Sequence, residues 1–214
     1  RSLYVYQYTH PGAKLNFMGN EFAPYTEWRH YEELEWFMLK YPGHKSMQDF
    51  VRELNHFYLE NSALWEDDRS WEGFSWVMAD DDENSVFAYI RRNADQSEEI
   101  LCVLNFTPKS FPGYKLVMPG EGSWRLALDS DAERFGGSSY LEGDASCHLL
   151  QTNKVLVKEH KAKTAEKYPE QGAVEAGRVK EQAFTESKNQ DHYWELDIKL
   201  PPLSGLIYIK ENKD

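Results

Sequence analysis

The hydrophobic period of this chain changes once, near Asn61, and that change limits the folds open to it more than any single motif. Before it, Met47, Phe50, Val51, Leu54, Phe57 and Tyr58 follow the i, i+3, i+4, i+7 spacing of a helix with one buried stripe. The spacing predicts a helix over residues 46–60, with Ser46 as its cap and Asp49 in the first turn, where the helix dipole favours an acid. The tail of another helix is expected at Ser2–Thr9. After Asn61, short apolar runs alternate with turn signals. Strands are expected at 74–78, 86–91, 99–106, 114–118, 124–128, 155–158, 193–200 and 205–209. Clusters of Gly, Pro and Asp at 80–83, 108–113, 119–122 and 129–137 separate the earlier ones. Many short strands without intervening helices predict a mainly β fold, an antiparallel sandwich or barrel. Residues 161–190 differ, being rich in Lys, Glu, Ala and Gln and nearly free of aromatics. They read as a charged insertion looping through solvent between strands, with a short surface helix as the alternative.

A chain of 214 residues is long enough to bury a sizeable core. Its net charge of -12 repels phosphate backbones, and no Lys/Arg run is interleaved with aromatics, so nucleic acid is not an expected partner. No apolar stretch approaches the roughly 20 residues of a membrane helix, and Arg1, Ser2 and Leu3 do not begin the apolar core of a signal peptide. The expectation is a soluble, cytoplasmic chain with no membrane partner. Cys102 and Cys147 are too few for a disulfide scaffold and lack zinc spacing; Cys102, inside the apolar run 100–104, reads as a small buried hydrophobe. The seven histidines show no metal-binding spacing, and no glycine loop cradles phosphate, so neither metal nor cofactor is expected. His10 and His44 read as turn and capping residues, the latter ahead of the helix. Asn105-Phe106-Thr107 is formally a glycosylation acceptor, but it ends an apolar strand and meets Pro108, so no glycan is expected there. The aromatic share of 14%, with seven Trp and thirteen Tyr, suits stacking on sugar rings as well as core packing.

The run HPGAKLNFMGNEFAPYTEW, His10 to Trp28, carries the chemistry that can be read locally. Residues 14–18 form a short apolar run, led in by Pro11-Gly12 and closed by Gly19, which predicts a buried strand in a covered parallel sheet. If the strand belongs to a (β/α)8 barrel, Glu21 and the aromatic loop 22–28 leave its C-terminal end, where barrel enzymes build their sites. Glu21 then has two readings, a substrate-side carboxylate or a cap or salt bridge to the next segment. Trp28 likewise either meets substrate or is packed. Retaining glycosyl transfer needs two carboxyl groups about 5 Å apart. Glu21 alone is not such a pair. The acids at 66–68 and 80–83 sit at strand ends and turns, where solubility and turn chemistry account for them; the second cluster lacks the spaced ligands and glycine of a calcium loop.

This run resembles the last barrel strand of bacterial 1,4-α-glucan (glycogen) branching enzymes, of the α-amylase superfamily. The resemblance extends along the chain: Glu27-Trp28, His44-Lys45, Asn84-Ser85 before VFAYIRR, then VLNFTPKSFPGYKLVMP, LDSDAERFGGS and LPPLSGLIYIK. It departs after Cys147, where the charged insertion delays the final strands. The resemblance implies that residues 1–62 are the end of a (β/α)8 catalytic barrel, its last strand and helix, and that 63–214 are an all-β C-terminal sandwich. It implies α-glucan as substrate, with Glu21 and Trp28 on the substrate side. The catalytic Asp and Glu of the family lie on earlier barrel strands, so no catalytic residue is expected in this chain and the chain alone is expected to be inactive. The missing N-terminal barrel is then a partner, and Leu15, Phe17 and Met18, exposed without it, are expected to drive self-association. Two alternatives stand beside this reading. One is the end of a related amylase-superfamily hydrolase. The other is a non-catalytic glucan-binding module presenting Trp71, Trp76 or Trp124, although Trp76 and Trp124 lie in apolar runs that suit a core.

Overall fold

The computed structural model describes residues 1–156 and 192–211, so the charged insertion at 161–190 and the end of the strand expected at 155–158 lie outside the described residues. Two helices, α1 (Ser2–Thr9) and α2 (Pro42–Glu60), precede the strands β1 (Phe74–Asp81), β2 (Val86–Arg92), β3 (Glu99–Asn105), β4 (Phe111–Met118), β5 (Ser123–Asp129), β6 (Leu149–Gln151), β7 (Asn153–Leu156), β8 (His192–Leu200) and β9 (Ser204–Glu211). Six strands form one sheet in the order β1-β2-β3-β9-β5-β6, and three form another in the order β4-β8-β7. Every pairing is antiparallel. The expected mainly β, antiparallel sandwich is what the chain forms.

The central strands show why their sequences read as unbroken apolar runs. Leu101 and Val103 of β3 point into a core shared with Leu116 of β4 and Leu196, Ile198 and Leu200 of β8, between the two sheets. Ile100, Cys102 and Leu104 point the other way, against Val5 and Tyr8 of α1 and Phe50, Val51 and Leu54 of α2. The six-stranded sheet is therefore covered on both faces, and its middle strands have no solvent side to mark with polar residues. Each fully buried Leu or Phe here contributes about 1.5–3 kcal/mol of transfer free energy, so both layers are needed to hold the sheet.

Helix α2 begins four residues earlier than the periodicity predicts. Pro42 stands at its first position, where the missing N–H costs nothing and the fixed φ suits a helix. Ser46 consequently lies inside the helix and donates to Gly43 O at 3.1 Å instead of capping it, and His44 lies in the first turn rather than before it. Asn61 closes the helix by donating to Phe57 O at 2.7 Å. The strand predicted at 14–18 does not form. An apolar run becomes a strand only with a neighbour to share its N–H and C=O groups, and among the described residues none lies beside this one; Gln7 Nε2 donates to Leu15 O instead. Three-residue β6, pairing with β5 from Ser123↔Gln151 to Arg125↔Leu149, escapes sequence prediction because it is shorter than any periodic window.

Candidate functional site

The segment leaving 14–18 is built on left-handed backbone. Met18, Gly19 and Ala23 have φ of 29°, 87° and 53°. At Gly19 the conformation and the space agree, because a Cβ there would lie 3.0 Å from the Phe22 ring and 3.2 Å from Leu34 Cδ2. Between these residues Asn20–Phe22 makes one 3₁₀ turn, with Phe22 N–H donating to Gly19 O at 3.0 Å and Ala23 N–H to Asn20 O at 3.1 Å. Phe22 is fully buried and anchors the turn, leaving Glu21 partly exposed beside it. Tyr4 Oη donates to Asn20 O at 2.8 Å, and His44 Nδ1 lies 2.9 Å from Phe22 O.

Among the described residues no hydrogen bond or ion pair holds the Glu21 carboxylate. Its negative charge is felt by Tyr4 and Tyr8, whose hydroxyls are pushed up first by burial and further by Glu21; at Tyr8 a hydrogen bond to Asn55 opposes this. Trp28 stands apart from Glu21. Its ring meets Phe17 edge-on at 5.4 Å and lines a shallow open depression with Met18, Pro24, Thr26 and Glu27. The rim is polar and self-paired, with Arg29 on Glu32 at 3.2 Å and Thr26 Oγ1 donating to Glu35 Oε2 at 2.7 Å. Glu21 does not line the depression, so the two residues singled out in the sequence share a loop but not a pocket.

In the acidic clusters at 66–68 and 80–83, Asp67, Asp68 and Asp81 are held in structural hydrogen bonds. Asp68 accepts from the buried Arg91 guanidinium and from Gly12 N–H at 3.2 Å; Asp67 accepts from Ser70. Arg91 also donates to Thr9 O at 2.7 Å and Gly73 O at 3.2 Å, tying α1 and the 67–73 loop to β2. The signal for it was an arginine inside the apolar strand VFAYIRR, which a buried strand carries only if each donor finds a partner. Asp81 accepts from Asn84 and from the Tyr114 hydroxyl at 2.5 Å, a link between the sheets. His10 caps α1 through its backbone N–H on Tyr6 O. Cys102 is buried, and burial pushes its thiol up to about 12, so it stays protonated and inert. Asn105 is buried with its amide on Lys109 O and Pro201 O, both at 2.7 Å, which closes it to modification.

Of the tryptophans, Trp124 is in the core at 2% exposure, as its apolar run predicts, and so cannot present a ring to sugar. Trp76 departs from that prediction. It is 42% exposed on β1, the edge strand of its sheet among the described residues, although its ring also packs on Phe74 and Tyr89 at 5.1 and 5.5 Å. Trp71, in the loop before β1, is 86% exposed. Among the described residues no group of three His, Cys, Asp or Glu converges as metal ligands, and no helix is long and apolar enough to cross a membrane.

With this geometry in hand, comparison with known proteins gives three findings. A family described as "Alpha amylase, C-terminal all-beta domain" matches residues 76–211. The 1,4-alpha-glucan branching enzyme GlgB of Aromatoleum aromaticum is 45% identical over 214 residues, 100% of this chain and 28% of that protein. The proteins of the same name from Gloeobacter violaceus and Halothermothrix orenii are 45% and 42% identical over 139 and 138 residues, covering 65% and 64% of this chain and 19% and 22% of theirs. The chain thus matches less than a third of the length of each of these relatives.

Proposed function

Because this chain belongs to the family of alpha-amylase C-terminal all-beta domains, we propose that it is the C-terminal region of a cytoplasmic 1,4-α-glucan branching enzyme. The parent cleaves an α-1,4 bond, holds the cut chain on a carboxylate, and passes it to a 6-hydroxyl to make an α-1,6 branch in glycogen. Two carboxylates do the covalent and proton-transfer work, and this chemistry calls for no metal or nucleotide. Neither of those carboxylates is in this chain. Residues 1–62 close the barrel and residues 63–214 form the sandwich that braces it.

The observation that carries this reading is the state of the first forty residues. The whole-chain likeness to the A. aromaticum protein includes them, and they leave Leu15 79% exposed, with Phe17 and Met18 also uncovered. A run of strand composition with neither ladder nor cover among the described residues is what a barrel strand becomes without its neighbours. Within the restored barrel, Glu21 and Trp28 face the α-glucan. Loss of iodine colour from amylose tests the proposal: the full-length parent reduces the colour and this chain alone does not. Branching by the chain alone, or none by the parent, would overturn it.

The exposed rings of Trp71 and Trp76 favour a second role for the same chain, a non-catalytic hold on α-glucan. Retardation of the chain in a glycogen-containing gel, lost in Trp76→Ala or Trp71→Ala, supports it; unaltered migration refutes it.

A further inference from the structure

We propose that His44 is the positioning residue of the Glu21 loop, fixing from helix α2 the backbone on which Glu21 and Trp28 are presented; this rests on the reading of those two residues as glucan-facing. Two contacts carry the inference. His44 Nδ1 lies 2.9 Å from Phe22 O, and since a carbonyl only accepts, the ring must carry its proton on Nδ1 and donate it. The same ring meets Tyr25 edge-on at 4.8 Å. One side chain therefore grips the loop on both sides of Ala23, at the residue following Glu21 and on the way to Trp28.

The grip is firm on the helix side. His44 is 6% exposed, and α2 is held to the six-stranded sheet by Phe50, Val51 and Leu54, each nearly or fully buried. It is needed on the loop side, where the left-handed conformation of Ala23 (φ 53°) is one that alanine leaves when nothing over-determines it. The turn bonds of Phe22 and Ala23 close immediately before that residue, and the His44 bond to Phe22 O holds the last peptide of the turn. Because α2 is packed on the six-stranded sheet, the sandwich takes a part, through that helix and His44, in shaping the substrate face.

The test uses the full-length parent with His44→Leu, His44→Asn and His44→Gln. The Asn amide nitrogen occupies nearly the place of Nδ1, whereas the Gln amide reaches one bond further. In amylose branching, Leu and Gln raise KM by about ten- to a hundredfold, the penalty of a displaced binding loop, with kcat within about twofold of the unsubstituted enzyme. Asn restores KM to within about threefold, because it replaces the hydrogen bond to Phe22 O, the contact next to Glu21, and gives up only the ring contact with Tyr25. Hydrogen exchange at the Phe22 and Ala23 amides of this chain rises about tenfold or more in Leu and Gln and stays low in Asn. Unchanged exchange or KM in Leu, or an Asn variant no better than Leu, overturns the proposal. If the unsubstituted parent does not branch amylose, the functional reading has failed instead, and the exchange pattern alone decides the role of His44.

Discussion

At Asp129 a single carboxylate bears on stability through where it is buried. Burial pushes its carboxyl up from the usual 3.8 to about 6; the charges of Asp131 and Glu142 push the same way, and the Asp131 N–H at 2.7 Å and Arg1 oppose them. A folded-state value above the unfolded one means that the protonated form favours folding. The contribution of Asp129 is therefore fully present below pH 3.8 and is lost as pH rises through about 6. Asn keeps an acceptor for the Asp131 N–H and carries no charge, so Asp129→Asn should flatten that part of the profile. In thermal melts at pH 4, 5, 6 and 7, the variant should gain on the original chain by at least about 2 °C across the series. Parallel curves would show that the carboxylate is relieved by solvent.

Between elements, α1 lies directly against β9 at Gly205. A Cβ added at Gly205 would lie 2.7 Å from Val5 Cβ and 2.8–2.9 Å from its methyl groups, closer than carbon atoms pack, and Val5 is itself fully buried. The helix can dock only because this position has no side chain. Gly205→Ala should force α1 off the sheet or unwind it, at a cost of about 1–3 kcal/mol in urea unfolding, typical of an overpacked core. Unchanged stability would mean that α1 is not docked in solution. Elements were legible where their signal is local, as the strands of the sandwich are, since runs such as VFAYIRR and ILCVLN end at turn residues. The same reasoning failed at 14–18, because apolarity is written in the run and a ladder partner is not. It also misplaced Trp76, whose apolar run says nothing of the edge position of β1. At the site, the types of Glu21 and Trp28 and the helix behind them were readable. The His44 to Phe22 bond spans 22 residues and the Arg91 bonds span 18 to 82, and no local pattern encodes either.

For the whole molecule, charge and apolar surface pull against each other. The net charge of -12 keeps copies apart, while Leu15, Phe17, Met18, Trp28, Trp36 and Phe37 all stand exposed within the first forty residues. The surface is partly continuous, with Phe17 on Trp28 at 5.4 Å and Trp36 on the buried Phe22 at 5.2 Å. Repulsion acts over a distance that salt shortens to about 3 Å at 1 M, whereas apolar contact is not screened. The chain should therefore self-associate more strongly as salt rises, the reverse of an assembly held by ion pairs. Sedimentation velocity of the 25.1 kDa chain should show a monomer at low salt giving way to larger species near 1 M salt, and Leu15→Ser with Phe17→Ser should restore the monomer. Both side chains are exposed, so melting temperature should hold while association is lost. A chain that stays monomeric throughout, with its 14–18 amides protected from exchange, would mean that these residues are covered by the chain itself, and the case for a barrel as their natural neighbour would lose its main support.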